Sequence, residues 1–64
     1  MIDEKKLLKR LMVYLQKDQQ GVARITKEFG YRTRATVQNW VRLGYIPRFR
    51  MQQLEAFLNR ELNQ

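Results

Sequence analysis

The sequence predicts a single all-α domain built as a compact four-helix fold, and three observations predict it. Apolar residues recur at spacings of three and four along most of the chain. Gly21, Gly30, Gly44 and Pro47 divide that pattern into four pieces of helical length. No β-branched stretch alternates over the roughly four to eight residues that a strand needs. The 64 residues suit one domain, 1–64, small enough to bury only about 60% of the surface that its unfolded chain exposes. With no Cys and no His, neither disulfides nor zinc can reinforce it, so the core must come from helix packing.

The first helix is expected over about 3–17. Leu7, Leu8, Leu11, Met12 and Leu15 share one side, and Asp3 and Glu4 in the first turn and Lys17 near the end suit the helix dipole. The second, about 22–29, carries Val22, Ile25, Thr26 and Phe29 on one face, with Gly30 as a left-handed cap. For the third, about 34–43, Thr33 is the expected N-cap, while Val37, Trp40 and Val41 form the inward face and Gly44 ends it. Ile46-Pro47 leads into the fourth, about 48–62, because proline fits a first turn and Met51, Leu54, Phe57, Leu58 and Leu62 line one side. The expected core is Ile25, Phe29, Val37, Trp40, Val41, Ile46, Leu54 and Leu58. Tyr14 is expected to be structural or exposed, and Trp40 to pack in the core. Either Met51, Phe57, Leu58 and Leu62 exceed what so small a core can cover and form the interface of a weak homodimer, the favoured expectation, or the domain is a monomer that pairs only on DNA.

Thirteen basic residues face six acidic ones, and residues 21–50 alone hold seven basic and one acidic side chain. A charge imbalance this local points to a polyanionic partner. Catalysis is not expected: there is no Cys, His or Ser, and carboxylates are adjacent only at Asp3-Glu4. Nothing in the chain calls for a cofactor, a metal or a small-molecule substrate, and the glycines lie too far apart to cradle a phosphate. No apolar run approaches the ~18 residues of a membrane span and no signal-peptide core follows the N-terminus, so a soluble, cytoplasmic protein is expected.

Two short helices joined by Gly30-Tyr31-Arg32-Thr33 have the proportions of a helix-turn-helix, whose second helix enters the major groove of double-stranded DNA. Arg34, Ala35, Gln38 and Asn39 then become the readers of bases. Arg can pair with guanine, Asn and Gln with adenine, and Ala can meet a thymine methyl. Arg24, Lys27, Arg32, Thr33, Thr36, Arg42, Arg48 and Arg50 fall to the DNA backbone or the turn, and the free N–H groups near Gly21 to Ala23 offer a further phosphate site.

From Phe29-Gly30-Tyr31 through Val37 and Trp40 to Gly44-Tyr45-Ile46-Pro47, the chain resembles phage Cro and repressor proteins of the lambda-repressor-like superfamily. The resemblance spans about residues 20–58 and rests on Ala23, Gly30, Val37, Trp40 and Ile46-Pro47. It implies transcriptional repression at an operator, with Thr33, Arg34, Ala35, Gln38 and Asn39 facing the DNA and Arg42 near the backbone. A two-fold protein would imply a pseudo-palindromic operator. Gly30 to Val37 is one residue longer than the superfamily's usual spacing, so the turn is expected to carry an extra residue, with Tyr31 packed inward and Arg32 swung out. The string from Trp40 to Pro47 is also similar to excisionase and MerR-type proteins, whose β-hairpin is not expected here. Two further readings stay open. One is a small helical inhibitor or adaptor using the same basic face on an acidic protein; the other is a structured-RNA binder.

Overall fold

The computed structural model describes residues 3–62; Met1, Ile2, Asn63 and Gln64, the ends of the expected domain, lie outside them. The described chain is all-α and forms four helices, α1 (Glu4–Lys17), α2 (Gly21–Glu28), α3 (Ala35–Leu43) and α4 (Arg48–Leu62). Among the described residues there is no strand, and no helix is long and apolar enough to cross a membrane.

α1 begins because the Asp3 carboxylate accepts the Lys5 N–H at 2.9 Å, satisfying a donor that the first turn leaves free. Its inward face of Leu7, Leu11 and Tyr14 lies mainly against α4. Tyr14 is buried, with its ring edge-on to Phe57 at 5.5 Å and its hydroxyl donating to Asp18 Oδ2 at 3.2 Å. Burial, and then the neighbouring Asp18 charge, push the phenol pKa above its ordinary value.

The turn into α2 requires a glycine. A Cβ at Gly21 would stand 2.8 Å from Leu15 Cδ2 and 3.0 Å from Tyr14 Cε2, so the bare backbone is what lets α1 and α2 close on each other. Inside α2 the buried Thr26 hydroxyl donates to the Val22 carbonyl at 2.7 Å, so no polar group is left unsatisfied there. Gly30 then takes φ +75°, its N–H bonding the Lys27 carbonyl and that of Tyr31 the Thr26 carbonyl, the paired bonds of a Schellman ending. α3 also ends on a left-handed glycine, Gly44 at φ +67°, with the Gly44 and Tyr45 N–H groups both on the Trp40 carbonyl.

α3 starts one residue later than the sequence suggests. Its N-cap is Arg34, not Thr33, and no side chain caps it. The longer turn carries Thr33 past in a bend, and the first helical bond runs from the Gln38 N–H to the Arg34 carbonyl.

One core joins all four helices: Leu7, Leu11, Tyr14, Ile25, Phe29, Val37, Trp40, Ile46, Leu54, Phe57 and Leu58. Val41, expected within it, is only half-buried at its edge. Of the four residues expected at a dimer interface, Phe57 and Leu58 are interior, while Met51 and Leu62 are half-buried at the edge of the core. Between α3 and α4, the Ile46 N–H donates to Glu4 Oε2 at 3.0 Å, which ties the first turn of α1 to that loop.

Candidate nucleic-acid interface

α3 is held by its inward side. Val37 and Trp40 are buried, and Trp40 meets the rings of Phe29 and Tyr31, each with centroids 5.8 Å away. Thr36 and Val41 flank them half-buried. Helical geometry then fixes what faces outward: Ala35, Gln38, Asn39 and Arg42, spaced three and four apart, are all exposed. Arg34 stands just before this row at the N-cap, and Arg32 and Thr33 are exposed in the turn. Ala35 at the head of the row leaves the backbone room to approach a surface closely.

Charge is arranged to match. No acidic residue occurs between Glu28 and Glu55, and every basic residue in that stretch is an arginine. Five of the six acids are engaged elsewhere. Asp3 caps α1, Glu4 holds the Ile46 N–H, Asp18 and Glu61 pair with Arg24 at 3.3 and 3.7 Å, and Glu28 pairs with Arg60 at 2.8 Å. Among the described residues, no ion pair involves Lys27, Arg32, Arg34, Arg42 or Arg48, all of which are exposed. A helix N-terminus with no side-chain cap and no acid in its first turn sits amid these cations at α3.

Neither a family model, nor a curated protein, nor a solved structure matches the chain.

Three placements bear on the reading from sequence. Arg24, assigned there to the DNA backbone, is braced between Asp18 and Glu61, so its charge is largely answered within the fold. Arg50, assigned likewise, lies with its guanidinium carbon 5.1 Å from the Tyr31 ring centroid, 5.3 Å from Phe49 and 5.6 Å from Phe29. It donates to Gln53 at 2.8 Å, and its Nε is buried without a partner. Arg50 is therefore a strut between the turn and α4. The anion site expected near Gly21 to Ala23 has an acid beside it, and the Gly21 N–H already bonds the Asp18 carbonyl. The Asp18 carboxylate accepts the Gln20 N–H at 2.9 Å beside that helix end and would repel a phosphate.

Sequence reasoning also passed over Leu43 and Phe49, which are 68% and 77% exposed, and Tyr45 beside them is 59% exposed. Leu43 continues the Ala35–Asn39 row by one more turn. Its spacing from Asn39 was the available signal.

Proposed function

We propose that the chain binds double-stranded DNA in a sequence-specific manner, with α2 and α3 acting as a helix-turn-helix and the outward row of α3 entering the major groove. The observation that carries this reading is the coincidence of an exposed polar row with unpaired arginines on a surface free of acids. Asn39 and Gln38 can each make a bidentate pair with adenine, and a good pair is worth roughly 1–3 kcal/mol of discrimination. Ala35 can lie against a thymine methyl. Arg34, at the entry to the helix, can reach guanine or the backbone. Lys27, Arg32, Arg42 and Arg48 supply phosphate contacts, which set affinity and register but carry no base identity. By resemblance, the biological role would be that of a Cro-like repressor at an operator.

Selection of bound sites from a random DNA pool tests this, run beside Asn39→Ala and Arg34→Ala. The expected result is a consensus that Asn39→Ala relaxes at one position. Salt-sensitive binding with no consensus would overturn it.

A second reading, an adaptor for an acidic protein surface, draws support from Leu43, Tyr45 and Phe49, which could anchor such a partner. DNA is preferred because the middle of the α3 row is polar and lacks an apolar anchor.

A further inference from the structure

A second surface, independent of the α3 row, carries its own chemistry. Where α1 meets the last turn of α4, Lys6, Lys9, Arg10, Val13 and Leu62 line an open groove of about 390 Å³. That volume is near the low end of the roughly 300–1,000 Å³ typical of ligand sites, enough for an anchoring side chain rather than a whole ligand. The floor is apolar, from Val13 and Leu62, and the rim is cationic with no acid in the lining. Arg10 is held in place by a hydrogen bond from its guanidinium to Asn59 Oδ1 on α4. Lys6 and Lys9 are exposed, and neither takes part in an ion pair among the described residues.

We infer that this groove docks a short acidic helical segment of another protein, seating one apolar side chain on Val13 and Leu62 with carboxylates against Lys6, Lys9 and Arg10. Charge complementarity selects this occupant. A second copy of the chain would bring like cations together on molecules that each carry a net charge of +7. A DNA backbone would satisfy the cations but has nothing to cover the apolar floor. The other groove, between α2 and α4, makes the contrast plain: it is lined by Arg24, Lys27, Glu28, Phe57, Arg60 and Glu61, and its two acids already pair with two of its arginines. Among the described residues, the α1 groove has no such internal answer. Solvent-exposed rim pairs orient and accelerate encounter more than they tighten it, so the complex is transient and salt-sensitive.

The test titrates the isotope-labelled full chain with a synthetic helical peptide carrying one leucine flanked by glutamates, following backbone amide signals. Two control peptides replace the leucine by alanine or the glutamates by lysine. Signals of residues 6–13 and Leu62 should move while those of α3 stay in place. Affinity should fall about tenfold with the alanine control and vanish with the lysine control. Val13→Glu should weaken the peptide at least about tenfold and leave helicity and duplex-DNA binding unchanged, because Val13 is exposed. If that variant unfolds, Lys9→Glu serves in its place. Shifts centred on α3, equal binding of the alanine control, displacement of the peptide by duplex DNA, self-association through the groove, or no binding at millimolar peptide would each overturn the proposal.

Discussion

Trp40 is a side chain on which much depends, because its buried ring joins the inward face of α3 to both Phe29 and Tyr31. Trp40→Ala should remove about 3–5 kcal/mol, a large part of the roughly 5–15 kcal/mol that holds a typical domain, and urea unfolding followed by circular dichroism should show little or no native baseline. Tyr14 gives a test of a different kind. Its pKa is raised in the folded state, first by burial and then by Asp18, so the protonated phenol supports the fold fully below the unfolded pKa of about 10. That support is lost as pH rises through the higher folded value. Alkaline unfolding should therefore set in above about pH 10, and Tyr14→Phe should remove this part of the pH dependence. The same change gives up a hydrogen bond to Asp18 worth about 1 kcal/mol at neutral pH.

Among the elements, the two glycine endings set how α2 and α3 meet. Both glycines hold positive φ, and a Cβ at either would meet nothing within 4 Å, so any penalty is backbone strain alone. Gly30→Ala and Gly44→Ala should each cost about 1–2 kcal/mol, read as a lower denaturation midpoint with unchanged slope. These stops were legible in the sequence, and so were the helix spans, because apolar period and glycine punctuation agree with each other. The start of α3 was not: Thr33 has the chemistry of a cap, yet the longer turn delivers Arg34 to that position. The outward row was legible for the same reason as the core, since Val37 and Trp40 fix the rotation of the helix. The surroundings of Arg24 and Arg50 were not, because part of what engages them comes from distant parts of the chain: Glu61 on α4 in one case, and Phe29 and Tyr31 beside α2 in the other. Tyr14 was left between a structural role and exposure because Phe57, the partner that buries it, lies on the far side of the sequence.

At the scale of the molecule the charge is polarised. Asp3 caps α1 and Asp18, Glu28 and Glu61 pair along α2 and α4, while the stretch from Phe29 to Leu54 that contains α3 holds arginines and no acid. If this surface meets DNA phosphates, log affinity should fall linearly with log salt, each phosphate contact adding about 0.9 to the slope. Arg32→Gln or Arg48→Gln should flatten that slope by about 1 with little change in stability. Arg50→Gln should do the opposite, lowering stability while leaving the slope nearly intact, since its guanidinium is stacked on aromatic rings. The bond from the Ile46 N–H to Glu4 reaches across 42 residues of sequence and belongs to no helix. Most backbone amides in so helical a chain can stay shielded from deuterium while a single helix persists. That of Ile46 is shielded only while α1 is docked, so its exchange rate clocks the opening of the tertiary structure itself, and Glu4→Ala should release it to exchange as a free loop amide does.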